Sequence, residues 1–346
     1  MSVRRRLTPY CVAFLALCLL VALRAPAFAD CQASSTNILF VTDREPLEDQ
    51  QLFSGERGIA SNRHQIISRG VIGPSVDRAS QRLCSSKDVF YKQVSTQFYP
   101  QRGRQVLVYI HGYYTTFKTA AHDALALKKT LHFPGTVIMY SWPSKVTSRL
   151  AYVSDEDNAY WSLTHFKNFL GQLQRQFPGM PISFAAHSLG SRFASEGLGF
   201  IRHSACPKCI GRVALYAPDV DSDTLYSELL SLKLCGKPPI EKPIASAPVV
   251  LYVSNKDLAL RQSQQLHGSA RAGQAGPELI LCQGVDTVDV SYYKGSDKVG
   301  HSYQVDPPVI ADTRAAFAGV PPTSPQRALK QVSRQGGIYY ELHPKP

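Results

Sequence analysis

Ser188 sits at the centre of the stretch AHSLG, between the strand-forming run PISFAAH and a run of helical pattern. A serine hydroxyl attacks a carbonyl only with a base to take its proton, an acid to orient that base and donors for the oxyanion that forms. A sharp strand-to-helix turn exposes such a serine above a sheet, and it needs small residues on both sides because the two backbones approach closely. Ala186 and Gly190 fill those places. The same serine would serve equally as a helix N-cap, so its partners must decide.

The base candidate is His301 in VGHSY, which follows the run VDTVDVSYY by a short glycine-containing loop. His165, His203 and His267 fall in or at the ends of helical patterns and are expected to face solvent. His111 and His187 flank the serine but are tied to their loops. With the chain order serine, acid, histidine, Asp257 in LYVSNKDLAL is the acid candidate. Asp219 in LYAPDVDSD is the rival, its other role being a helix cap shared with Asp221 and Asp223. In VLVYIHGYYTTF a strand ends at His111 and Gly112, so the backbone N–H groups of Tyr113 and Leu189 are the candidate oxyanion donors. His111, Gly112 and Trp142 are candidates for substrate contact, with core packing an equal alternative for Trp142. This chemistry calls for neither a metal nor an organic cofactor.

These residues need a scaffold that brings distant strand ends together. From Val106 onward, VLVYI, TVIMYSW, PISFAAH, GRVALYA, PVVLYVS and VDTVDVSYY alternate with helical patterns, which predicts an α/β fold with a mostly parallel sheet covered on both faces. In WSLTHFKNFLGQLQRQF the apolar residues recur at i, i+3 and i+4, marking a core-facing helix. NILFVTDRE and DVFYKQV read as edge strands that extend the sheet, within an N-terminal region of edge strands and loops over 30–105. The core spans 106–318, and a tail over 319–346 is left open as a packed strand or a free end.

MSVRRR, the apolar run Tyr10 to Leu23 and RAPAFAD read as a cleavable signal peptide over 1–29, which predicts a periplasmic or secreted protein. Its removal takes away four arginines and lowers the formal charge from +12 to +8. A basic chain suits contact with anionic envelope surfaces. The basic residues are scattered without a nucleic-acid motif, so nucleic-acid binding is not expected. Six cysteines remain, Cys31, Cys84, Cys206, Cys209, Cys235 and Cys282. In an exported chain they predict disulfides whose pairing spacing alone does not fix. CPKC at 206–209 follows a helix instead of opening one, so it reads as structural and not as a redox pair.

Together, VYIHGYYTTF, YSWPS, AAHSLGSR, LYAPDVD, LYVSNKDLAL, VDTVDVS and GHSY resemble the α/β-hydrolase superfamily, and within it a bacterial esterase/lipase-like branch catalogued as a domain of unknown function. The resemblance covers roughly Asn37 to Phe317. It implies the α/β-hydrolase fold and acyl-ester chemistry, without naming the substrate. The expected function is therefore that of an exported serine hydrolase acting on small acyl esters. An amidase or peptidase with the same triad, and a non-catalytic exported binding protein on the same fold, are the alternatives. The polar segment KVTSRLAYVSDEDNAY from Lys145 to Tyr160 is too poor in apolar residues to shield a long acyl chain, so short to medium esters are expected. Oligomeric state is not legible.

Overall fold

The computed structural model describes residues 31–47, 52–58, 67–98, 104–145, 151–204, 206–236, 249–293, 295, 297–334 and 337–344. The expected leader lies outside them. The strands are β1 (Ile38–Thr42), β2 (Arg44–Pro46), β3 (Phe53–Arg57), β4 (Ser68–Ile72), β5 (Gln81–Leu83), β6 (Val106–Ile110), β7 (Thr136–Ser141), β8 (Ile182–His187), β9 (Ile210–Tyr216), β10 (Val249–Val253), β11 (Val285–Asp289), β12 (Leu329–Arg334) and β13 (Gly337–Leu342). Eleven of them form one sheet in the order β12-β13-β11-β10-β9-β8-β6-β7-β1-β4-β5, and β2 pairs with β3.

The six apolar runs read from the sequence become β6 to β11, all mutually parallel. β6, β7, β8 and β10 are buried along their whole length, whereas β9 is half-buried at its start and β11 carries half-buried Asp286 and Asp289. In β6, Val106, Val108 and Ile110 pack with Phe166, Phe169, Leu170 and Phe193. Leu107 and Tyr109 point the other way, toward Phe117, Ala120, Ala124, Val309 and Ala316. The alternation of strand side chains thus divides the core into two layers. The helices Tyr152–Gln176 and Gly190–Arg202 cover one face, and Phe117–Leu131 and Pro307–Phe317 cover the other.

Two expectations about the elements need correction. DVFYKQV is not a strand: Lys87–Thr96 is a helix whose N-cap, Ser86, accepts a hydrogen bond from the Val89 N–H, and which buries Phe90, Tyr91 and Val94. Phe90 and Val94 lie one helical turn apart, and the local cap outweighs a β-rich composition. The helix expected to begin near Trp161 begins at Tyr152 and runs 25 residues, so the second half of the polar segment Lys145 to Tyr160 is helical.

The residues of the tail form β12 and β13. These pair with each other antiparallel, and β13 joins β11 in parallel through Val288 and Tyr340. The six cysteines pair as Cys31–Cys84, Cys206–Cys209 and Cys235–Cys282. The first and last bridges span 53 and 47 residues, and constraining loops of that length in the unfolded chain is worth about 4 kcal/mol each. The CPKC cysteines are bonded to one another at the entry to β9.

Candidate active site

Ser188 directly follows β8 and adopts φ 54°, the left-handed region that a non-glycine residue rarely occupies. Three backbone bonds hold it there: its N–H donates to the Tyr216 carbonyl at 2.9 Å, and its carbonyl accepts from the N–H groups of Ser191 at 3.0 Å and Asp219 at 3.2 Å. The next residue, Leu189, caps the helix Gly190–Arg202, so its N–H belongs to the positive end of that helix. Gly190 makes the turn possible, since a Cβ there would stand 2.5 Å from the His111 carbonyl oxygen and 2.6 Å from that of Ile110. Ala186 is fully buried in the first small position.

Across the sheet's carboxyl edge, the His301 Nδ1–H donates to Asp257 Oδ2 at 2.7 Å. Asp257 caps the helix Leu258–His267 with its other oxygen, accepting from the Leu260 N–H at 3.0 Å. One carboxylate is thereby fixed by the helix end and turned toward the imidazole. The loop carrying His301 is braced by Asp297, which accepts from the backbone N–H groups of Val299 and His301 and from the Ser302 hydroxyl. His187, beside Ser188 in sequence, donates from Nε2 to the His301 carbonyl at 3.0 Å, and the two rings lie 4.7 Å apart. Burial would push the His301 pKa down, but the Asp257 carboxylate, helped by Asp219 and Asp297, outweighs it and raises the pKa above the ordinary 6.5. Burial, and then His301, lower His187 to about 3, so it stays neutral at physiological pH.

Asp219, the rival acid, is turned elsewhere. It is buried and pairs with Arg271 Nε at 2.8 Å, and it accepts from the hydroxyls of Ser263 at 2.6 Å and Tyr152 at 2.5 Å. Although burial opposes it, Arg271 with the two hydroxyls lowers the Asp219 pKa. Asp221 is the cap of the helix Ser222–Ser231.

Gly112 opens the facing loop. A Cβ there would meet the Ser188 Cβ at 2.7 Å and His187 Nδ1 at 2.9 Å, so only glycine lets this backbone reach the serine. Tyr113 follows it directly. His111 and Trp142 are fully buried. The two rings stack at 5.1 Å, and the indole N–H donates to the His111 carbonyl at 2.9 Å. His111 Nδ1–H donates to the Gly112 carbonyl at 2.8 Å, leaving Nε2 to accept from Arg44 Nη2 at 3.2 Å. Both residues therefore shape the loop from behind.

Arg44 is a part of this brace that the sequence reading missed. Its guanidinium is wholly buried, and it donates to the Thr115 carbonyl at 2.7 Å and to the Ser141 hydroxyl at 2.9 Å. Burial lowers its pKa to about 9 against the pull of Asp43 and Asp155, so it remains cationic. The one visible signal was a charged residue inside the β-rich run NILFVTDRE. His165 also departs from expectation: it is buried, with Nδ1 2.8 Å from Asp43 Oδ2. Among the described residues, no group of three or more His, Cys, Asp or Glu side chains is placed to hold a metal ion, and no helix is long and apolar enough to cross a membrane.

Residues 86–317 match a family model described as an alpha/beta hydrolase of unknown function (DUF900). No curated protein matches the chain. Solved structures similar to it include the catalytic core domain of acetyl xylan esterase from Trichoderma reesei, at 9% identity over 62% of this chain and 96% of that one, with a TM-score of 0.37. Phospholipase PlaB from Legionella pneumophila is similar at 10% identity over 69% of this chain and 68% of that one, with a TM-score of 0.34.

Proposed function

This chain belongs to the alpha/beta hydrolases of unknown function (DUF900), and from that premise we propose that it is an exported serine hydrolase that cleaves short to medium carboxylic esters. The observation that carries the reading is the Asp257–His301 hydrogen bond on a loop that reaches His187, the neighbour of a serine held in a left-handed elbow. Ser188 Oγ attacks the ester carbonyl while His301 Nε2 takes its proton. Asp257 keeps the other imidazole nitrogen protonated and stabilises the imidazolium. The N–H groups of Leu189 and Tyr113 receive the oxyanion. On collapse the C–O bond to the alcohol breaks and His301 returns the proton to the leaving oxygen. Water then repeats the sequence on the acyl-enzyme, restoring Ser188.

Short substrates are favoured because, among the described residues, polar contacts border the site. Tyr152 reaches Asp219, and Glu156 binds both Arg192 at 2.5 Å and His267 at 2.9 Å. Turnover of p-nitrophenyl esters is expected to fall from the short acyl chains to palmitate, with no jump in rate at the micelle threshold. A preference for the longest chain, or activation by micelles, would refute the chain-length reading. Three disulfides fit export to an oxidising compartment, and the basic charge suits a protein working near anionic envelope surfaces.

The pH profile follows from the electrostatics. Only neutral His301 accepts the serine proton, so kcat/KM rises with pH as the imidazolium deprotonates. Because the folded-state pKa is raised, the half-maximal point is expected above 6.5. A profile flat from pH 5 to 8, or half-maximal below 6.5, would contradict a histidine base paired with Asp257.

A further inference from the structure

Tyr114 has no structural reason to be a tyrosine. It is held at φ 57°, a conformation that suits glycine or asparagine and makes a bulky residue an outlier. At 44% exposed, its ring is not repaid by burial in the core. Such an outlier beside a reactive residue points to use of the side chain. The ring is the outermost of three: Tyr114 lies 5.7 Å from Tyr113, and Tyr113 lies edge-on to Tyr152 at 5.3 Å. The middle and inner rings tie the tier to the surroundings of the nucleophile. Tyr113 continues from Gly112, where a Cβ would stand 2.7 Å from that of Ser188. Tyr152 Oη donates to Asp219, whose N–H donates to the Ser188 carbonyl.

We infer that Tyr114 is a specificity-determining residue whose exposed ring, backed by Tyr113 and Tyr152, forms a subsite for a six-membered ring with an apolar face carried by the ester, either an aryl group or a pyranose. This rests on the reading of Ser188 as the nucleophile. Both kinds of ring present a face that stacks on a phenol, and tyrosines offer that face with little side-chain entropy to lose.

The test compares wild type, Tyr114→Gly and Tyr114→Phe on ethyl acetate, phenyl acetate and an acetylated methyl glucoside. Relative to ethyl acetate, kcat/KM of Tyr114→Gly is expected to drop about three- to tenfold for the ring esters, the worth of one aromatic stack. Tyr114→Phe retains the preference, and Tyr114→Gly unfolds no earlier than wild type because the backbone strain is relieved. A drop for phenyl acetate alone assigns an aryl ring, and a drop for the glucoside alone a pyranose. An unchanged ratio in Tyr114→Gly, or a loss in Tyr114→Phe equal to that in Tyr114→Gly, overturns the subsite.

Saturation-transfer NMR with phenyl acetate and the glucoside on Ser188→Ala protein supplies a readout independent of turnover. Ring protons of either ligand that are saturated with Tyr114 present and not after Tyr114→Gly support the subsite. Saturation unaffected by that substitution, or no ring saturation in either protein, overturns it. Absence of turnover for every ester would sink the hydrolase reading alone, and the NMR result would still judge the subsite.

Discussion

Ser188→Ala is expected to abolish both covalent labelling by a fluorophosphonate and ester turnover, with a loss on the order of a million-fold in kcat, as for nucleophile knockouts in serine hydrolases. Wild type should take the label once, at Ser188. The size of the loss separates the two roles a serine at this turn can have. The N-cap is Leu189, so a purely structural Ser188 would contribute nothing in chemistry, whereas a nucleophile is worth nearly all of the rate. The backbone supplies a second control, because Ser188 is held at φ 54°. Glycine occupies that region without strain, so Ser188→Gly should unfold no earlier than wild type while losing the activity just as completely. Stability and activity moving apart at one residue would mark strain retained for function. A Ser188→Ala protein that keeps even a tenth of the wild-type rate, or takes the label elsewhere, would remove Ser188 from the chemistry.

What the sequence made legible depended on how local the determining physics is. The central strands were readable because a parallel strand buried on both faces must be a continuous apolar run, as β6 and β10 are. DVFYKQV was misread because a short stretch of aromatic and β-branched residues carries no decisive period. Its outcome is set by a cap at Ser86 and by burial of Phe90 and Val94 against the sheet. Chain order and strand ends were enough to nominate Asp257 and His301, which lie 44 residues apart yet hydrogen-bond. Arg44 and His165 escaped because their partners, His111 and Asp43, are supplied by other elements 67 and 122 residues away. A buried polar residue announces itself only when its partner is known. Trp142 is the same case: its burial depends on the His111 ring that it stacks on.

The two aspartates near His301 should fail in different ways when each loses its charge. Asp257→Asn is expected to cut kcat about ten-thousand-fold, because an amide in that place favours the wrong imidazole tautomer. The fold should survive, since asparagine caps the helix Leu258–His267 as well as aspartate does. Loss of the carboxylate also removes the main force that raises the His301 pKa, so the acid limb of any residual activity should move to lower pH. Asp219→Asn leaves the His301 contact untouched and instead strands Arg271, a guanidinium with only 4% of its side chain exposed. Breaking a buried pair from one side costs about 3–5 kcal/mol, so this variant should melt well below wild type yet retain most of its kcat at temperatures where it is folded. Thermal unfolding and turnover measured on the same preparations give the comparison. If Asp219→Asn proves inactive but stable, and Asp257→Asn active, the acid belongs to the end of β9 and not to the end of β10.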